Sequence, residues 1–160
     1  MTINQTRIPN PKTFFKTITI IHLALVAGQL LFGIMAYFLT NGKNVVTKLS
    51  GDVFFYIAPL LAVAGVIAGS YLFKQKLNSL TDAISLKEKL TIWQTAFIIR
   101  CAMAEGPSLF GIAVYLITGN LFYLFISGLI ILYFISIGPK KETIAADLDL
   151  SYEDKIEMGI

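Results

Sequence analysis

The sequence predicts an all-α integral membrane protein: a four-helix bundle made of two parallel pseudo-repeated helical hairpins, with both termini in the cytoplasm. Three observations predict it. Mean hydropathy is +0.71 and only 14% of residues are charged, where a soluble domain carries about a quarter. The charges are segregated, so that residues 17–42, 53–73 and 106–139 contain none. The word Leu-Phe-Gly-Ile occurs at 31–34 and again at 109–112, inside longer matching stretches.

A bilayer core about 30 Å thick takes about 20 apolar residues of helix. The first two charge-free runs each supply one span. The third is too long for one helix, and Thr118-Gly119-Asn120 breaks it into spans of about 92–118 and 121–138. Asn10-Pro11 reads as a helix start, with Asn10 as cap and Pro11 in the first helical position. The outer loop 41–52 holds the turn signals Asn41-Gly42 and Ser50-Gly51, and Asp52 can cap span two. Ser85 and Glu88 have capping-box spacing, which starts helix three about a turn before the membrane. Trp93 then falls at the cytoplasmic interface, and Tyr37, Phe54, Phe55, Tyr56, Tyr115, Phe122 and Tyr123 form the outer aromatic belt. Gly138-Pro139 ends span four. The chain is one membrane domain over 1–160, with repeat one at about 11–80 and repeat two at about 85–140. The acidic tail 141–160 is a short amphipathic helix or an unstructured solubilising segment on the cytoplasmic side.

A soluble bundle would show a polar face every turn, and an outer-membrane barrel would show alternating strands. The chain shows neither pattern. Its net charge of +3 and pI near 9.0 do not point to nucleic acid. Arg7, Lys12, Lys16, Lys74, Lys76, Lys87, Lys89, Lys140 and Lys141 flank span ends, whereas the outer loops carry only Lys43 and Lys48. The positive-inside rule then places both termini and the middle loop in the cytoplasm. The first apolar run is too long for a signal peptide and no cleavage site follows it, so it is expected to be retained. The expected location is a bacterial-style cell membrane, and the expected partners are the lipid bilayer and a homo-oligomer or larger membrane complex. The lone Cys101 admits no internal disulfide. One histidine cannot ligate haem twice, and no His/Cys/Asp cluster has metal spacing. Walker, GxSxG and zincin motifs are absent. No cofactor, no metal and no enzymatic activity are expected.

When residues 17–40 are set against 95–118, identical residues at 17, 21, 24, 28 and 31 face 95, 99, 102, 106 and 109. Steps of four and three mark one helix face. The expectation is that spans one and three pack through this face across a pseudo-twofold along the membrane normal. Ala24/Gly28 and Ala102/Gly106 would be the close approach, and Gly65-x-x-x-Gly69 a second one on span two. Pro59 and Ser127-Gly128 are minor flexibility signals.

The second copy differs from the first where chemistry is carried. Arg100 replaces His22, Glu105 replaces Ala27 and Pro107 replaces Gln29. Glu105 lies near the middle of span three, where an ionised side chain costs at least about 2.5–3.5 kcal/mol. It must pair with a cation or take up a proton, which makes it the leading ion- or proton-binding candidate. Pro107 supplies no N–H to the Met103 carbonyl, so a kink and a freed oxygen are expected beside Glu105, and Gly106 lets another backbone approach. Arg100 is about 140° round the helix from Glu105 and does not share its face; it reaches an adjacent helix or snorkels to headgroups. His22 should lie at Arg100's depth as a proton relay or helix contact, with Gln29 seven residues on along the same polar seam. The leading reading is a proton- or cation-linked transporter or channel subunit. The alternative is a non-catalytic structural or assembly subunit in which Glu105 and Arg100 contact helices or a partner.

The segment Ala102-Met103-Ala104-Glu105-Gly106-Pro107-Ser108-Leu109-Phe110-Gly111-Ile112 resembles the ion-binding helix of rotary ATPase proteolipid subunits, where a membrane carboxylate precedes an aromatic-Gly pair. Some proteolipids are also duplicated four-span chains of this size. The resemblance covers about a dozen residues. In that family the carboxylate sits on the second helix of each hairpin, after a Gly-rich first helix. Here Glu105 is on the first helix of hairpin two, no dense Gly repeat precedes it, and Arg100 stands nearby. The likeness is therefore one of local convergence.

Overall fold

The computed structural model describes residues 11–40, 53–80 and 85–159, and every element in them is a helix. In chain order these are α1 (Pro11–Thr40), α2 (Val53–Leu77), α3 (Leu86–Thr118), α4 (Leu121–Ser136), α5 (Lys141–Asp147) and α6 (Tyr152–Met158). Three of them, α1, α2 and α3, are long and apolar enough to cross a membrane. At 16 residues, α4 is only about 24 Å long. It qualifies as a fourth span only together with α5, from which a 78° bend separates it. That bend contains Gly138-Pro139, where span four was expected to end. The expected turns of loop 41–52 and the caps Asn10 and Asp52 lie outside the described residues.

Local sequence sets the boundaries. Pro11 opens α1, as its fixed φ and missing N–H allow. Ser85 caps α3 through a complete capping box: its hydroxyl accepts from the Glu88 N–H, and the Glu88 carboxylate accepts from the Ser85 N–H at 3.0 Å. Gly119 ends α3 in the left-handed region at φ 69°, a conformation that favours glycine. Asn120 then starts α4 by accepting from the Phe122 N–H at 3.1 Å.

Ring contacts give the directions. Phe14 lies 6.2 Å from Trp93 at one end, and Gly33 faces Ile112 towards the other, so α1 and α3 run parallel. Phe73 meets Trp93 and Phe54 meets Phe110, so α2 runs opposite to α3. Contacts from Ser127 to Ser108 and from Tyr133 to Arg100 make α4 antiparallel to α3 as well. Helix α3 is central and packs on α1, α2 and α4, most extensively on α2.

The structure corrects the expected packing face. Helices α1 and α3 do pack, but not through the repeated stripe. Thr17, Ala24, Gly28 and Leu31 are exposed, as are Thr95, Ala102 and Gly106. A Cβ added at Gly28 or Gly106 would meet nothing within 4 Å. The inward face of α1 is instead Phe14, Ile18, His22, Val26, Gln29 and Ala36. The close approach belongs to α2. A Cβ at Gly65 would fall on the Met103 carbonyl oxygen and 2.8 Å from Pro107 Cγ, and one at Gly69 would lie 3.2 Å from the Arg100 carbonyl oxygen. Helix α1 turns bulky residues inward, while the glycines of α2 bring its backbone close to that of α3.

The tail is ordered, which decides between the two expectations for it. Ile144, Ala145, Leu148, Leu150 and Met158 are buried in one cluster with Phe14, Ile18, Leu86, Leu90 and Trp93. Lys141 Nζ donates to the Gly159 carbonyl at 3.0 Å and ties α5 to the end of α6. Trp93 is therefore not a lipid-facing interfacial ring. It is 2% exposed, it stacks on Phe97 at 4.9 Å, and its Nε1–H donates to Asp147 Oδ2 at 2.9 Å. In the outer belt, Tyr37 and Tyr56 are exposed, but Tyr115 and Tyr123 are buried.

Candidate functional site

The polar residues of the spans divide into three groups that the fold keeps apart. The first centres on Arg100. Its Nε and Nη2 donate to Tyr133 Oη at 3.2 and 3.0 Å, and Ser70 Oγ lies 3.0 Å from the same oxygen. With both lone pairs of the phenol oxygen accepting from Arg100, its hydrogen is left for Ser70. The guanidinium also lies 5.2 Å from the Phe73 ring centroid, a cation–π distance. Arg100 thus links α2, α3 and α4. It lines a cavity of about 270 Å³ together with Ser70, Lys74, Asn78 and Asp147.

Tyr133→Phe removes the acceptor of two charged donors. It is expected to cost about 1–3 kcal/mol, read as a lower unfolding midpoint of the detergent-purified protein. A midpoint equal to wild type would show that Arg100 is anchored elsewhere.

The second group lies on the inner face of α1. His22 is buried, stacked on Phe134 at 5.0 Å and 7°, and tilted over Phe97 at 5.7 Å. Gly138 leaves room for it, since a Cβ there would come within 3.2 Å of His22 Nε2. His22 and Arg100 thus meet α4 at adjacent residues, Phe134 and Tyr133. About two turns further, Gln29 is fully buried, and its Nε2 donates to the Leu25 carbonyl at 3.4 Å. Among the described residues its Oε1 has no partner, nor have His22 Nδ1 and Ser108 Oγ. Ser127 Oγ donates to the Ser108 carbonyl at 2.9 Å. Gly111 makes that contact feasible, because a Cβ there would strike Ser127 Oγ. The sequence offered Ser127 only as a flexibility signal. It is a buried helix-to-helix donor.

The third group is Glu105 alone. It is half-buried on α3, between exposed Ala102 and Gly106 on one side and buried Cys101 and Ser108 on the other. Among the described residues it makes no hydrogen bond or ion pair. Glu105 lines neither the Arg100 cavity nor any of three apolar grooves on the described bundle. Two expected supports differ from expectation. The Met103 carbonyl, which Pro107 leaves without its helical donor, packs against Gly65 of α2 rather than opening beside Glu105. Among the described residues nothing lies within 4 Å of where a Gly106 Cβ would stand. Helix α3 also continues unbroken through Pro107.

No family model, curated protein or solved structure matches this chain.

Proposed function

We propose that the protein is a non-catalytic subunit of a membrane assembly, and that a neighbouring membrane helix, from a second copy or another subunit, completes Glu105. The observation that carries this reading is a half-buried carboxyl on the outward rim of α3 with no hydrogen-bond or ion-pair partner among the described residues. Placing that group against lipid is costly, and a donor or cation on an adjoining helix removes the cost. The flanking Ala102 and Gly106 are small and unobstructed, as close helix approach in membranes requires. The same outward stripe on α1, Thr17, Ala24 and Gly28, offers a second equivalent surface if the two hairpins descend from a duplicated unit. In this reading the two hairpins are parallel repeats, both termini lie in the cytoplasm, and the location is a bacterial-style cell membrane. The flanking lysines support that orientation.

The second reading is a proton- or cation-linked transport subunit with Glu105 as the binding group. The missing in-chain partner favours it as well, since a carboxyl that exchanges ions must not be locked.

Substitution separates the two. Glu105→Leu removes no hydrogen bond or ion pair among the described residues and is expected to leave the fold within about 0.5 kcal/mol of wild type. Under the assembly reading it abolishes co-purification or cross-linking with the partner, while Glu105→Gln retains part of it through its hydrogen bonds. If the wild type proves monomeric and unpartnered, and Glu105→Gln abolishes ion flux in proteoliposomes, the transport reading replaces it.

A further inference from the structure

The Arg100 cavity and an apolar groove between α2 and α4 adjoin at Tyr133, a feature that the reading of Glu105 does not use. The groove runs between α2 and α4, has a volume of about 390 Å³, and is walled by Pro59, Val63 and Ile67 on one side and Ile126, Leu129 and Tyr133 on the other. Tyr133 is shared. Its ring closes the groove, and its hydroxyl bonds Ser70 and Arg100, which line the polar cavity.

The cavity carries two cations, Arg100 and Lys74, against one carboxylate, Asp147, with Ser70 and Asn78 as neutral polar groups. Asp147 accepts from Trp93 through Oδ2, and no ion pair joins it to either cation among the described residues. Arg100 has five N–H donors. One on Nε and one on Nη2 go to Tyr133, which leaves the rest for a ligand. The guanidinium is already held in place by Phe73 and Tyr133. The cavity sits where the charge-free run of α2 gives way to Lys74 and Lys76, the level at which hydrocarbon meets headgroups.

We propose that this feature binds one glycerophospholipid, with its phosphodiester against Arg100 and Lys74 and an acyl chain along the α2/α4 groove. Charge and shape both select that occupant. Fixed guanidinium donors and an ammonium suit a phosphate oxygen, basic pockets between helices recognise lipid headgroups, and only a ligand with a long apolar body also fills the groove. Ser70 and Asn78 offer hydrogen bonds to the glycerol ester region or to the headgroup. Asp147 favours a headgroup that brings its own donor, such as an amine or hydroxyl.

The test is native mass spectrometry of the full chain in detergent with added dioleoyl-phosphatidylglycerol or dioleoyl-phosphatidylethanolamine. The wild type should retain one lipid after delipidation of the annulus. Lys74→Gln should weaken it about fivefold, as one basic residue near a membrane surface contributes. Arg100→Gln should weaken it about tenfold or more, the loss of charge-assisted bonds. Ile67→Trp should fill the groove and remove most of the adduct. Lys74 is exposed and Ile67 is 63% exposed, so these two variants keep the fold even if Arg100→Gln does not. Inorganic phosphate in excess should not displace the lipid. If Lys74→Gln and Ile67→Trp both retain the adduct, the lipid is merely annular and the proposal fails. If phosphate displaces it, or Lys74→Gln weakens binding while Ile67→Trp does not, the cavity is a soluble-anion site and the lipid assignment is wrong.

Discussion

Gly65→Leu is expected to destabilise the bundle by about 1–3 kcal/mol and to push α2 away from α3. The first atom of any side chain at this position falls on the Met103 carbonyl oxygen and close to the Pro107 ring. Neither obstacle is the tip of a flexible side chain; one is backbone and the other is a closed ring. Relief therefore needs a movement of the whole helix. Gly65→Ala should already show much of the effect. Gly69→Ala should be milder, because its Cβ would sit 3.1 Å from Met103 Cβ and 3.2 Å from the Arg100 carbonyl oxygen, contacts that a few tenths of an ångström relieve. Gly28→Ala and Gly106→Ala meet nothing within 4 Å and should be neutral or slightly stabilising, since alanine favours helix over glycine by about 1 kcal/mol. Equilibrium unfolding in mixed micelles would rank the four. A ranking in which Gly106→Ala is as harmful as Gly65→Ala would contradict the packing of α3 on α2.

That ranking also shows where sequence reasoning reached its limit. The helices were legible because charge is excluded from hydrocarbon, and their ends because Ser85/Glu88 and Gly119-Asn120 satisfy or redirect backbone groups locally. Which face turns inward was not legible. In a soluble helix the buried stripe is the apolar one, but with lipid outside both faces are apolar. The residues shared by the two halves gave a helical stripe, and it lies outward. A better signal was available in Gly65, Gly69 and Pro107 together, three backbone-exposing residues on two neighbouring helices. The polar residues marked real features, yet their partners depend on helix rotation. Arg100 turns to α2 and α4, His22 to α4, and Glu105 to neither. Tyr133 and Ser70 carry no mark in a sequence rich in similar residues, so the Arg100 linkage emerged only from the fold.

Trp93→Ala should have the largest effect of any single truncation, about 3–5 kcal/mol for a large buried aromatic. Trp93 touches Phe14 of α1, Phe73 of α2 and Phe97 of its own helix, so its removal opens a void where three helices meet. It also deletes the donor to Asp147, a side-chain hydrogen bond that ties the bundle to α5. Trp93→Phe separates the two contributions. It keeps most of the ring packing, loses the N–H, and should cost about 1 kcal/mol beyond the small loss of volume. Asp147→Asn keeps an acceptor at the same place and should be close to wild type. The tail supplies an independent readout. In the wild type Ile144, Leu148 and Met158 are covered by the core, so protease should leave 141–158 intact. Trp93→Ala should expose the bend at Gly138-Pro139 and the turn before Ser151 to cleavage well below the global unfolding temperature. The tail holds the aromatic cluster around Trp93 shut from one direction and Trp93 holds the tail from the other, so losing either should loosen both. A Trp93→Ala protein with a protected tail and an unchanged midpoint would mean that α5 and α6 do not cap the bundle.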